Sequence, residues 1–205
     1  MKLIKKLLRF FLILAALFGA LVFYLRIAEY GFHRTVSSEE EALRLKLVST
    51  AEGWFGIAEG SARHKQILEI YNTHEPLAQD YAVTAEDNWC AAFGSTAAIQ
   101  CSLTGIIPTE CSCQRQIALW EEMGCWEEDD NYLPLPGDYI YYDWDFATLG
   151  DSTGWADHVG IVAGTHGPFI KIIEGNKNDT VTYRFILRDS PVIRGYGLPD
   201  FASAS

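Results

Sequence analysis

The chain changes character once, near Gly124, and that single switch limits the folds open to it. Before it, apolar residues recur at helical spacing; after it, they gather into short runs of β-branched and aromatic residues. Ser37-Ser38 followed by Glu39-Glu40-Glu41 sets a capping hydroxyl and first-turn acids ahead of Leu43, Leu45, Leu47, Val48 and Ala51, which predicts a helix ending near Gly53. Further helices are expected over 61–71, 89–103 and 113–123, with Gly105-Ile106-Ile107-Pro108 closing the third. Pro134-Leu135-Pro136-Gly137-Asp138 reads as a turn, and strands are expected over 139–144, 158–163, 169–174, 181–186 and 192–196. Helices first and antiparallel strands after them predict an α+β domain, with the helices packed on the sheet.

Ahead of this domain Lys2, Lys5, Lys6 and Arg9 precede a 16-residue uncharged apolar run, residues 10–25, which closes at Arg26. A basic end followed by such a run directs export. The favoured reading is an uncleaved transmembrane helix, with residues 1–9 as its cytoplasmic end; the alternative is a cleaved signal and a secreted protein. Phe18-Gly19-Ala20 sets a bulky residue where a cleavage site wants a small one. Residues 1–34 carry six Lys and Arg against one Glu, and residues 35–205 carry ten against 26 acids, so a basic end precedes a strongly acidic body. The positive-inside rule then leaves the body outside the membrane. An acidic body lacks the basic footprint that nucleic acid requires, so nucleic acid is excluded as a partner. Residues 26–60 read as a juxtamembrane spacer and helix, 61–201 as the domain proper and 202–205 as a tail.

Five cysteines in an exported chain invite disulfides. With Cys90 set aside, Cys101, Cys111, Cys113 and Cys125 form an even set. Cys111 with Cys113 is strained at that spacing, which leaves two pairings. Zinc is one rival reading, but the C-x9-C-x-C-x11-C spacing lacks the close pairs of structural zinc sites; reduced, buried cysteines are the other. Asp143-x-Asp145 starts like a calcium loop without its third ligand or its glycine. No metal or cofactor is expected.

Cys90 opens the third predicted helix, His158 stands in a largely apolar strand, and Glu174 ends the next strand, with Asn176 two residues on. Each alone has an ordinary structural explanation: a buried thiol, a core histidine, the polar end of a strand. Together they are the parts of a cysteine hydrolase. A helix start and a neighbouring imidazolium lower a thiol's pKa, and a carboxylate orients the ring. A hairpin turn over 164–168 centred on His166 would set His158 directly across from Glu174 on one face, with Asn176 as the diagonal neighbour. His33, His64, His74 and His166 are less suitably placed.

Five stretches in order carry a family resemblance: Trp89-Cys90-Ala91-Ala92-Phe93, Pro136-Gly137-Asp138-Tyr139-Ile140, Asp157-His158-Val159-Gly160-Ile161-Val162, Ile173-Glu174-Gly175-Asn176 and Ile193-Arg194-Gly195-Tyr196-Gly197. Residues 61–201 resemble the CHAP domain, the cysteine, histidine-dependent amidohydrolase/peptidase family of papain-like fold. Related NlpC-like peptidases resemble it less, since they usually begin Asp-Cys-Ser and use a second histidine. The resemblance implies Cys90 as nucleophile, His158 as general base, Glu174 as the orienting acid and Asn176 as a further polar member. It also implies peptidoglycan as substrate, cleaved at the muramoyl–L-alanine amide or at a peptide bond. The competing functions are a membrane-tethered module that binds wall peptide without cutting it, and a disulfide scaffold without chemistry.

Overall fold

The computed structural model describes residues 11, 13–19, 36–129, 131–144 and 154–204. Half of the expected membrane segment, residues 10–25, lies outside these. Its described part, Phe11 and residues 13–19, is helical and exposed. Among the described residues no helix is long and apolar enough to cross a membrane.

Among the described residues from 36 onward, four α-helices come first: α1 (Ser38–Glu52), α2 (Ala62–Asn72), α3 (Cys90–Cys101) and α4 (Cys113–Glu122). Six strands follow: β1 (Trp126–Glu127), β2 (Tyr139–Tyr142), β3 (His158–His166), β4 (Phe169–Glu174), β5 (Thr182–Leu187) and β6 (Ile193–Gly197). They form one antiparallel sheet in the order β1-β6-β2-β3-β4-β5, so the α+β expectation holds. β1, two residues long, had no signal of its own in the sequence.

Helix α3 is buried on almost every side, from Cys90 to Ala98 without a break, because it lies between α1, α2 and the sheet. A run of Ala, Gly, Ser and Thr keeps it slim enough for both layers to approach. The sheet face that carries Tyr139, Tyr141, Val159, Ile161 and Ile173 closes on the helices. The opposite face carries a second apolar cluster of Ile140, Tyr142, Val162, Ile170, Ile172, Val192 and Tyr196.

The expected boundary at residue 61 does not divide the packed unit. Leu47, Val48 and Ala51 of α1 belong to the same core as α3. Arg44, also on α1, is buried between Glu40 and Asp138, with Nε–Oε1 and Nη1–Oδ1 distances of 2.8 Å each, and donates to Pro136 O. That network ties α1 to the turn before β2.

The hairpin of β3 and β4 differs from the expectation in an instructive way. His166 pairs with Phe169, so the connection is Gly167-Pro168 rather than a loop centred on His166. That register alone would send His158 and Glu174 to opposite faces of the sheet. A bulge between Val162 and Gly164 inserts one residue, shifting the pairing to Val162 with Ile172 and Ile161 with Ile173. The extra residue restores the parity, and His158 and Glu174 share a face as diagonal neighbours instead of a direct pair.

Candidate active site

Ser37, Ser61 and Ser112 cap α1, α2 and α4 by accepting from a first-turn amide. Helix α3 has Trp89 in that position and no side-chain cap, so no capping hydroxyl occupies its first-turn amides. Cys90 is its first residue. The helix start therefore offers its partial positive charge to the thiol rather than to a capping oxygen.

His158 is the first residue of β3, where the sheet meets the start of α3. Its Nε2 lies 3.2 Å from Glu174 Oε2, and Glu174 is fully buried. With Nε2 taken, Nδ1 is the nitrogen available to the Cys90 sulfur, with which the ring interacts. The imidazole also stacks at 6.0 Å on Tyr142, its cross-strand partner. The second Glu174 oxygen accepts from Arg184 Nε at 2.6 Å, and the Arg184 guanidinium lies 4.7 Å from the Trp144 ring centre. Arg184 on β5 keeps Glu174 ionised, and Glu174 in turn fixes the ring.

Burial draws the His158 pKa down, but the Cys90 sulfur and the Glu174 carboxylate outweigh it and lift it to about 9. Burial also pushes Glu174 upward, and His158 with Arg184 reverses this, leaving the carboxyl below its usual range. The Cys90 thiol falls well below its ordinary value: a hydrogen bond from Cys113 is the largest cause, acting against burial, with His158 and the Val159 backbone adding to it. A lowered thiol beside a raised imidazole favours the thiolate–imidazolium form.

Two glycines make room for this arrangement. A Cβ at Gly160 would lie 2.7 Å from Glu174 Cγ, and one at Gly175 would lie 2.5 Å from Phe93 Cβ on α3. Gly175 thus lets the end of β4 approach the helix that carries Cys90.

The structure brings Cys90, His158 and Glu174 together as expected, but it sends Asn176 elsewhere. β4 ends at Glu174, Asn176 takes a left-handed conformation (φ 57°), and its Nδ2 donates to Asn88 Oδ1 at 3.2 Å. It braces the segment leading into α3, and no hydrogen bond joins it to the imidazole.

The expected disulfides among Cys101, Cys111, Cys113 and Cys125 are not formed, and all five cysteines are free. Cys101 is at the far end of α3 from Cys90, roughly 16 Å along the axis, and faces Thr50 Oγ1 on α1. Cys111 lies against Glu110 and Gln79, and Cys125 against Met123 O. Cys113 instead sits with its sulfur 3.6 Å from that of Cys90.

The sequence pointed to Cys113 only as a disulfide candidate, not as a neighbour of Cys90, and did not single out Arg184. Arg184 left a signal, a lone cation inside Thr-Tyr-Arg-Phe-Ile-Leu, which demands an acid across the sheet. Cys113 left only a weak one, a cysteine opening a Ser-capped helix as Cys90 opens its own. Among the described residues no three His, Cys, Asp or Glu side chains are grouped to hold a metal; Asp145 of the Asp143-x-Asp145 pair lies outside them.

No protein-family model and no curated protein matches the chain. A solved structure described as "The crystal structure of Ly7917" aligns with a TM-score of 0.40 at 14% identity, covering 76% of this chain and 62% of that one. The chain spans less than two thirds of that structure's length, and a likeness of this degree carries no argument.

Proposed function

We propose that this chain is a cysteine hydrolase of the CHAP type that cleaves an amide bond in peptidoglycan outside the cytoplasm. The observation that carries the reading is the buried relay from Cys90 at a helix start, through His158, to the Arg184-paired carboxylate of Glu174. Buried carboxylates fixed on both oxygens are costly to place, and here the placement serves an imidazole that interacts with a thiol of lowered pKa. The CHAP-like motifs supply the substrate class; the geometry supports the reaction class.

In the proposed reaction the Cys90 thiolate attacks the amide carbon, forming the S–C bond as the carbonyl π electrons move to oxygen. The first-turn amides of α3 stabilise that oxyanion. Collapse breaks the C–N bond, and the His158 imidazolium gives its proton to the leaving amine. The neutral ring then takes a proton from water, whose oxygen displaces the sulfur and releases the acid. Glu174 and Arg184 act through His158 as positioning residues.

Purified cell wall is the test substrate. Wild-type protein should release fragments whose masses name the bond cut. Cys90→Ala and His158→Ala should release none while keeping the wild-type far-ultraviolet dichroism. Fragment release by folded Cys90→Ala would end the proposal.

A further inference from the structure

The Cys90–Cys113 contact is more than a thiol donor beside a nucleophile. The two sulfurs are 3.6 Å apart, and each residue opens a helix. The separation is held by the frame rather than by flexible side chains. Ser95 Oγ of α3 donates to Glu110 O at 2.8 Å and accepts from Glu110 N at 2.9 Å, clamping the segment before α4 onto α3. The Glu110 carboxylate then accepts from the amides of Cys111 and Ser112 and from Arg115 Nε, which fixes the start of α4. Cys111, two residues away, contacts Glu110 and Gln79 instead, and the Cys90–Cys113 contact is the only sulfur–sulfur contact among the described residues.

We infer that Cys113 is the resolving thiol of Cys90, so that oxidation by a peroxide closes a reversible Cys90–Cys113 disulfide. The Cys90 thiolate attacks one peroxide oxygen; the S–O bond forms, the O–O bond breaks and hydroxide leaves, giving a sulfenic acid. The Cys113 thiol attacks that sulfur; the S–S bond forms, the S–O bond breaks, and the Cys113 proton leaves with the hydroxyl as water. Two thiols lose two electrons and two protons, and one peroxide becomes two waters. An external thiol reverses the step by two exchanges and ends as its own disulfide. A disulfide needs about 2.05 Å between sulfurs, so the pair must close by about 1.5 Å, within the range of side-chain rotation. The opposite displacement of the two thiols suits the roles: the lowered one is the attacking thiolate, and the raised one keeps the proton that the departing hydroxyl takes. The sulfur chemistry stands apart from the proposed hydrolysis. Only its consequence, that the closed pair withholds the nucleophile, rests on that reading.

The test is peptide mapping by mass spectrometry of the full chain, titrated with hydrogen peroxide and quenched with iodoacetamide. Wild type should lose Cys90 alkylation as a Cys90–Cys113 linked peptide accumulates, and dithiothreitol should restore the alkylation in full. Cys111→Ser should give the same linked peptide. Cys113→Ser should give none, and excess peroxide should carry its Cys90 to the sulfinic acid, which dithiothreitol does not reverse. A link from Cys90 to Cys111, or direct conversion of wild-type Cys90 to sulfinic acid, overturns the inference. If Cys113→Ser does not fold, the wild-type and Cys111→Ser maps decide it. The readout needs no wall substrate, so a linked peptide in a protein that releases no wall fragments would fault the hydrolase reading alone.

Discussion

Gly160→Ala tests whether the acid–base pair depends on one missing side chain. One step along the ladder from Ile161–Ile173, Gly160 comes opposite Glu174. A Cβ there would stand 2.4 Å from Ile172 Cγ2 and 2.7 Å from Glu174 Cγ, against an ordinary contact of at least 3.4 Å. Glu174 must therefore give by about 0.7 Å and Ile172 by about 1.0 Å, and both are fully buried. A shift of that size takes the 3.2 Å Glu174–His158 contact past hydrogen-bonding range. Overpacking of about 1–3 kcal/mol, together with a weakened charged hydrogen bond, gives an expected loss of about 2–4 kcal/mol. For a domain of this size that lowers the melting temperature by roughly 4–16 °C. Thermal unfolding reads the first effect. NMR titration of the His158 ring reads the second, as a fall from about 9 toward the ordinary 6.5. Wild-type stability with the imidazole still titrating near 9 would refute the reasoning, because Glu174 would then have found room that the packing denies it.

Iodoacetamide should label Cys90 at pH 6, and His158→Ala should cut that rate about tenfold as the thiol loses its imidazolium; an unchanged rate–pH profile would remove His158 from the thiol's environment. Stability should show a plateau. Between pH 6.5 and about 8.5 the folded imidazole holds a proton that the unfolded one has lost, while the folded thiolate lacks a proton that the unfolded thiol keeps. The two slopes oppose and cancel; above that range the His158 contribution is lost as pH rises through about 9. Urea midpoints across this range should be flat in wild type and rise with pH in His158→Ala; a flat profile in both would contradict the ion pair. Arg44→Met leaves Glu40 and Asp138 as buried acids without their cation and should lower stability by about 3–5 kcal/mol in urea unfolding, whereas a loss below about 1 kcal/mol would show that α1 is not anchored through this network.

The sequence by itself determined the elements and the chemistry of three side chains. Serine caps, acidic first turns and glycine or proline stops are local, so α1 to α4 begin and end within a residue or two of their expected bounds. β4 falls on residues 169–174 as read. Cys90 at a helix start and His158 and Glu174 on neighbouring strands were legible for the same reason. The tertiary structure decided what those elements do to one another. The bulge after Val162 reverses the face to which a two-residue turn would have sent Glu174, and turn chemistry alone does not encode a bulge. Asn176 bonds to Asn88, just before α3, rather than to the imidazole. Cys113 lies beside Cys90 and not beside another cysteine because Ser95 clamps the segment before α4 to α3, a contact between separate elements. Capping and turn preferences act over a few residues and can be read from a string. Register, sulfur proximity and the Arg184–Glu174–His158 relay depend on how separate elements settle against each other, which is fixed only when the core closes.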